Sequence, residues 1–413
     1  MTKQLILNSS SSFLENSSFH MSGSKSISQR ALIINFLGSS SFDIINLSNS
    51  KDTYTLNEIL KEIGKKKSFN VGQGGTTFRF LLPLLSLIDK EFYINGHTSL
   101  ESRPLSSLVD ALKNLGVKFT FLEKKNHFPF KIHGGKINLK SINIQSDKTS
   151  QFVSGLLLVA PYIKGGLRLK LKTKIVSKSY IDMTIQMMRS CGAYVCWEKN
   201  IISVNEGSYS SIIKNIESDW TSLSYIYECV AISDKAEVII SSFTYPSLQK
   251  DSDIILFFNF LGVSTKFNND KVIITKVKHS LPSLIEWDVL SNPDLMPTYL
   301  VSCFALGVNL MLTGIDSLIY KESNRIQSVK INLEKFNAKI NFNSKYIFLD
   351  SSNPLFFEKE IDTFNDHRIA LAFSPLVLKT RSLIINNPQV IEKSYPKYWG
   401  HLNKIGIKSF FQK

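Results

Sequence analysis

The sequence predicts an α/β fold made of repeated units, and three observations point to it. Strand-like runs alternate with helical patterns, helix endings recur at a nearly constant interval, and 413 residues exceed what one hydrophobic core usually serves. The strand-like runs include Ile142-Asn143-Ile144, Glu237-Val238-Ile239-Ile240 and Lys271-Val272-Ile273-Ile274, rich in β-branched residues. The clearest helical pattern covers 103–116, where Leu105, Leu108, Val109, Leu112 and Leu115 share one face and Gly116 supplies the stop. That ending returns at Gly192, Gly262 and Asn337, which follow one another at 76, 70 and 75 residues. At about 70 residues a unit, the chain has room for close to six copies, too large and too mixed for a helical solenoid. No Pro- or Gly-rich linker marks a domain boundary, which leaves the polar stretches at Ser17–His20 and 213–218 as candidates.

Composition narrows the function classes. Hydrophobic content of 43% and charged content of 20% are ordinary for a folded globular chain. The formal charge of +15 admits nucleic acid, a membrane surface or acidic metabolites as partners. Lys, Asn, Ile, Ser and Phe are heavily used while Gly and Ala are sparse, so much of that charge reads as a passive consequence of A/T-rich coding. Cys191, Cys196, Cys229 and Cys303 show neither CxxC spacing nor a nearby His, which argues against a zinc site or redox pair and fits a reduced cytosol. Leu5-Ile6-Leu7 is too short for a signal-peptide core, and no run of about 18 apolar residues occurs. The expectation is a cytoplasmic protein with no membrane span.

The residues that suggest chemistry stand at helix starts. Gly23-Ser24-Lys25-Ser26, with Arg30 one turn on, feeds an apolar helix, where free backbone N–H groups, hydroxyls and cations together suit a phosphate or carboxylate. A plain Ser-rich N-cap explains the same residues without a ligand. The second Gly and the Gly-Lys-Ser/Thr order of a Walker loop are missing. Gly72-Gln73-Gly74-Gly75-Thr76-Thr77-Phe78-Arg79 repeats the design, with Gly75 open to close backbone approach. Arg103-Pro104, Thr149-Ser150-Gln151 and Ser177-Lys178-Ser179-Tyr180 open further helices. Singly, each reads as a cap; together they suggest several helix dipoles directed at one anionic ligand.

The C-terminal half adds carboxylates in Asn292-Pro293-Asp294, Lys321-Glu322-Ser323-Asn324-Arg325 and Asn365-Asp366-His367-Arg368. Acids at helix starts need no catalytic task. Lys321, Arg325 and Arg368 oppose the helix dipole, a mild penalty that a bound anion would relieve. Lys393, in Glu392-Lys393-Ser394-Tyr395-Pro396, places one more cation near the C-terminus.

In this order the segments resemble the 5-enolpyruvylshikimate-3-phosphate synthase family, from about residue 20 to 400, through nine motifs including Gly-Ser-Lys-Ser, Gly-Thr-Thr-Phe-Arg, Lys-Glu-Ser-Asn-Arg and Asn-Asp-His-Arg. The resemblance implies an α/β (α+β) fold of two domains, each of three βαβαββ units about a pseudo-threefold axis, with the active site in the interdomain cleft. It implies a discontinuous domain of 1–19 with 219–413 and a second of 20–218. The implied reaction moves the enolpyruvyl group of phosphoenolpyruvate to the 5-hydroxyl of shikimate 3-phosphate, with no metal or organic cofactor.

By the same resemblance, Ser26, Arg30, Thr149, Ser150, Gln151, Ser177, Tyr180 and Lys321 hold shikimate 3-phosphate. Gly75, Arg103, Gln151, Arg325, Arg368 and Lys393 hold phosphoenolpyruvate, and Lys25 serves both ligands. Asp294, which also touches the acceptor, is the expected general base, Glu322 the expected proton donor to the methylene carbon, and Lys25 its partner. Arg suits these anions because its fork matches carboxylate and phosphate. The chain departs from the family pattern at Ser22 and Ser179, which stand for Pro, and at Gln73, Thr149 and Asn324. The last stands for an Asp and bears on how Arg325 is held. None of these removes an expected catalytic group.

Two other readings make different predictions. A UDP-N-acetylglucosamine enolpyruvyl transferase shares the fold and chemistry but commonly carries a Cys on the loop over phosphoenolpyruvate, and 96–103 has none. A basic nucleic-acid-binding repeat protein needs clustered cations with interleaved aromatics, whereas these cations are spread along the chain. The expected partners are therefore the two small substrates, with no nucleic acid and no membrane, and the expected state is a monomer.

Overall fold

Helices buried on every side have to be surrounded by protein, and among the described residues there are five such helices, one for each four-stranded sheet. In the Trp220–Ile232 and His367–Phe373 helices every residue is buried; in Met296–Leu306 only Leu306 is not, in Gly75–Ser86 only Thr76, and in Gln151–Val159 only Gln151. The computed structural model describes residues 3–9, 17–38, 43–101, 103–135, 137 and 140–412. It divides into two compact units, Met1–Gly23 with Glu217–Lys413, and Ser24–Ile216.

Among the described residues there are five four-stranded sheets, and all share one topology. In the Ser24–Ile216 unit, Ser68–Asn70 runs parallel to Glu91–Asn95, which pairs antiparallel with Phe130–His133, which in turn pairs antiparallel with Lys118–Phe121. The first crossover is the buried Gly75–Ser86 helix and the second the Ser106–Asn114 helix, apolar on one side only. Ser141–Ile144, Leu167–Leu171, Ile201–Val204 and Val195–Glu198 repeat the pattern with the Gln151–Val159 and Lys178–Ser190 helices. Each sheet is therefore a βαβαββ unit, which bears out the predicted repeat. A third set of helices, Lys25–Gly38 and Lys51–Glu62, lies with an isolated bridge between Ile45 and Asn215.

The other unit contains three such sheets. One begins at Ser17–His20 beside Glu237–Ser241, one at Leu284–Asp288 beside Asn309–Thr313, and one at Glu360–Ile361 beside Ser382–Asn386. In the last, the fourth strand is the N-terminal Gln4–Ser9, set antiparallel between Ser382–Asn386 and Ile407–Phe411. Leu5 and Leu7 face the core and are fully buried.

The periodic helix stops have a common backbone cause. Gly116, Gly192, Gly262 and Asn337 hold φ of 100°, 94°, 73° and 68°, the left-handed turn that glycine and asparagine accept most readily. Gly406, at φ 96°, is a fifth member that the sequence reading missed, because the Tyr398–Lys404 helix before it is only seven residues long.

In each unit the inner helices pack directly on one another. A Cβ on Gly155 would lie 2.4 Å from the Arg79 carbonyl oxygen, so the Gly75–Ser86 and Gln151–Val159 helices approach closely only because residue 155 is glycine. Among the described residues no helix is long and apolar enough to cross a membrane.

One inner helix carries a group that the core does not satisfy. Glu228 is fully buried, both its oxygens lack a hydrogen-bond partner among the described residues, and burial pushes its carboxyl well above the ordinary 4.5. The unfolded chain gives up this proton at a lower pH than the folded one, so the group's contribution to stability declines as pH rises past about 4.5. Glu228→Gln removes the titration. The melting temperature of that variant should gain on the wild type steadily between pH 4.5 and 8, and a constant difference would exclude a buried titrating carboxyl.

Candidate active site

In the Ser24–Ile216 unit the inner helices are exposed mainly where they begin. The Ser24 hydroxyl caps the Lys25–Gly38 helix by accepting from the Ile27 N–H at 3.4 Å, so neither Lys25 nor Ser26 is needed as the cap. Lys25 Nζ lies 3.2 Å from the Asp52 carboxylate. Gln29 Nε2 donates to Thr77 Oγ1 at 3.4 Å and joins this helix to the start of Gly75–Ser86.

Gly75 begins its helix without a side-chain cap. A Cβ there would lie 2.9 Å from Arg103 Nη2 and 3.1 Å from Arg79 Nη1, so two guanidinium groups converge on backbone that only glycine leaves open. Arg79 donates to Gln151 Oε1 at 2.6 Å and to the Pro104 carbonyl at 2.8 Å, and its guanidinium lies 4.8 Å from the Phe78 ring centroid and 5.3 Å from that of Phe152. Gln151 Nε2 then donates to Thr76 Oγ1 at 2.7 Å. With both ends of its amide engaged, Gln151 has one orientation.

The hydroxyl segments divide into two kinds. Thr149 acts as a cap, its Oγ1 accepting from the Gln151 N–H at 3.2 Å. Ser150 and Ser177 are buried at N-cap positions and make no capping bond. Ser177 also holds left-handed backbone at φ 52° and ψ 47°, a conformation that costs a serine on the order of 1 kcal/mol. Tyr180 stands in the first turn of the Lys178–Ser190 helix.

Arg30 points inward. Its guanidinium donates to Thr184 Oγ1 at 2.7 Å, the Ser26 carbonyl at 2.7 Å, the Tyr180 carbonyl at 3.1 Å and Ser154 Oγ at 3.4 Å, and burial lowers its pKa to about 10. It thereby ties together the starts of three helices, Lys25–Gly38, Gln151–Val159 and Lys178–Ser190.

The second cluster belongs to the other unit. Arg325, fully buried, donates Nε to Asp366 Oδ2 at 2.9 Å, Nη1 to Asp294 Oδ1 at 2.9 Å and Nη2 to Glu322 Oε2 at 2.7 Å. Arg368 donates Nη2 to Asp294 Oδ2 at 2.7 Å and Nη1 to the Tyr225 hydroxyl at 3.3 Å. Lys321 Nζ is 3.1 Å from Asp294 Oδ1, and Lys393 Nζ is 3.3 Å from Glu322 Oε1. Asp366 also caps the His367–Phe373 helix, accepting from the Arg368 N–H at 2.9 Å.

Electrostatics set the protonation of this cluster. Burial raises the Asp294 carboxyl, but Arg368, Lys321 and Arg325 outweigh it and hold the group well below the usual carboxylate range. Burial lowers Lys321 despite Asp294 beside it. For Arg325 burial is outweighed by Asp366, Asp294 and Glu322, and its charge is secure. The cluster therefore holds an ionised carboxylate, Asp294, inside a ring of cations. Such an arrangement can bind a small polyanion, and an anion that draws these cations away from Asp294 makes the carboxylate more basic.

Lys321, Glu322, Arg325, Arg368, Lys393 and Asp294 thus come together in one unit, and Lys25, Ser26, Gly75, Arg103, Thr149, Ser150, Gln151, Ser177 and Tyr180 stand at helix starts of the other. The Asn324 side chain caps the Arg325–Glu334 helix by accepting from the Gln327 N–H at 3.4 Å. Sequence reasoning missed Asp52, Arg79 and Tyr225 and took Asp366 only as a helix-start acid. Arg79 and Asp366 lie inside the recognised motifs, which was the available signal.

A family model described as EPSP synthase (3-phosphoshikimate 1-carboxyvinyltransferase) matches residues 16–402. This chain belongs to the EPSP synthase family. A 3-phosphoshikimate 1-carboxyvinyltransferase of Bacteroides fragilis is 33% identical over 395 residues, covering 93% of this chain and 94% of its own. EPSP synthase from Acinetobacter baumannii superposes with a TM-score of 0.78 at 21% identity, covering 100% of both chains. The enolpyruvyl transferase NikO from Streptomyces tendae gives 0.74 at 14% identity, covering 100% of this chain and 99% of its own. These structural likenesses establish the fold, while the EPSP synthase family match disfavours the UDP-N-acetylglucosamine alternative.

The Asp366 carboxylate serves both arginines, as ion-pair partner to Arg325 and as cap beneath Arg368. Asp366→Asn keeps a capping side chain but leaves the buried guanidinium one charge short. A loss of about 3 kcal/mol in denaturant unfolding is expected, and a variant as stable as wild type would show that Asp294 and Glu322 suffice.

Proposed function

We propose that this chain transfers the enolpyruvyl group of phosphoenolpyruvate to the 5-hydroxyl of shikimate 3-phosphate and releases phosphate. The observation that carries the reading is the ionised Asp294 set among Lys321, Arg325 and Arg368, with Glu322 on the same guanidinium. An addition of this kind needs a base and an acid beside a polyanion site. The acceptor hydroxyl attacks C2 of phosphoenolpyruvate as its proton passes to Asp294, and C3 takes a proton from Glu322, with Lys25 as partner. The tetrahedral adduct then returns a proton from the methyl group as the C2–O bond to phosphate breaks.

Ser26, Ser150, Gln151, Ser177, Tyr180 and Lys321 suit the acceptor, since they combine first-turn N–H groups, hydroxyls without a capping task and a cation. Thr149 and Arg30 support that set, one as cap and one as the brace beneath it. Lys25, Gly75, Arg103, Gln151, Arg325, Arg368 and Lys393 suit phosphoenolpyruvate. We read the protein as cytoplasmic, which agrees with four free thiols, and as a monomer without nucleic acid, since one chain carries every residue the reaction asks for.

Purified protein given both substrates should release inorganic phosphate, and neither substrate alone should do so; silence with both present would end this reading. Glu322→Gln should lower turnover by about a hundredfold or more while shikimate 3-phosphate binding, followed by calorimetry, changes little. Near-normal turnover would remove Glu322 from proton transfer. Gly75→Ala fits the helix but displaces Arg103, so KM for phosphoenolpyruvate should rise roughly tenfold with the fold intact, whereas an unchanged KM would place that substrate elsewhere.

A further inference from the structure

Arg368 reaches both Asp294 and Tyr225 with its guanidinium. Nη2 lies on Asp294, 2.7 Å away, and Nη1 on the Tyr225 hydroxyl, 3.3 Å away. Tyr225 comes from the fully buried Trp220–Ile232 helix, its ring edge-on to Tyr398 with centroids 5.9 Å apart, and is 1% exposed. Burial raises its phenol to about 12 even with Arg368 beside it, so the hydroxyl keeps its proton. Among the described residues, Arg368 is its one hydrogen-bond partner. A hydroxyl that accepts from Arg368 retains an O–H to donate, and burial of an unused donor is costly.

These contacts of Arg368 with Asp294 and Tyr225 have different fates when a substrate carboxylate arrives. That carboxylate competes with Asp294 for the guanidinium, and Asp294 has to give up cations before its lone pairs can take a proton. The contact at Nη1 makes no such demand. We propose that Tyr225 is a positioning residue for the anion site: its hydroxyl holds the Arg368 guanidinium in place while substrate carboxylate replaces Asp294 on it. Its remaining O–H is available to the incoming carboxylate. This rests on the enolpyruvyl-transfer reading above.

Tyr225→Phe removes the oxygen alone and keeps the ring against Tyr398. KM for phosphoenolpyruvate should rise about tenfold, in the range of one hydrogen bond to a charged group. kcat and KM for shikimate 3-phosphate should stay within about twofold, and the melting temperature within a few degrees. The effect should also vanish in an Arg368→Lys background, measured as phosphoenolpyruvate binding by calorimetry with shikimate 3-phosphate present. An unchanged KM, an equal penalty in both backgrounds, or a variant that melts far below wild type would each overturn the assignment. Wild type run in parallel separates the two hypotheses: no phosphate release from it overturns the reaction and this proposal together, whereas normal release beside an unaltered Tyr225→Phe overturns this proposal alone.

Discussion

The buried guanidinium of Arg325 is the constraint on which one half of the molecule depends. A charge with no exposed surface is tolerated only when its partners are close and well directed, and here three carboxylates contact it within 3 Å. They come from different βαβαββ units: Asp294 and Glu322 from the one beginning at Leu284–Asp288, Asp366 from the one beginning at Glu360–Ile361. Tyr225, reached through Arg368, belongs to the remaining one. The ion pairs and the Arg368–Tyr225 hydrogen bond therefore tie three repeats together at one cluster. Removing any carboxylate disturbs packing and chemistry together.

The local field matters more than the total charge. A chain of +15 attracts anions over its whole surface only weakly, because solvated lysines are screened. At the inner helix starts, first-turn N–H groups, arginine forks and ordered hydroxyls are fixed by packing, so binding an anion there requires little rearrangement. Ser177 illustrates the same economy, with strained backbone retained at a hydroxyl that no capping bond occupies.

The repeat and the helix starts were legible in the sequence because both depend on local rules. Glycine and asparagine stops reflect backbone conformation, and apolar runs after small-residue turns reflect burial. The one stop of the five that went unread, Gly406, followed a helix too short to show periodicity. What remained hidden was partnership across the chain. Nothing near Arg30 in sequence tells that its guanidinium turns inward to Thr184, 154 residues away, nor that Lys25 meets Asp52. Arg325 shows the limit most clearly. Its unfavourable position at a helix start was legible, and its relief by Asp294, Glu322 and Asp366 was not, since two of these lie 31 and 41 residues away.

The strand at Gln4–Ser9 has a consequence for the order of assembly on the ribosome. It is made before the whole Ser24–Ile216 unit, yet both its neighbours, Ser382–Asn386 and Ile407–Phe411, are made after that unit. The Ser24–Ile216 unit is contiguous and can close while synthesis continues. The other must wait with Leu5 and Leu7 exposed until Ser382–Asn386 and Ile407–Phe411 emerge, so a nascent chain stalled before those strands carries one finished unit and one open sheet edge.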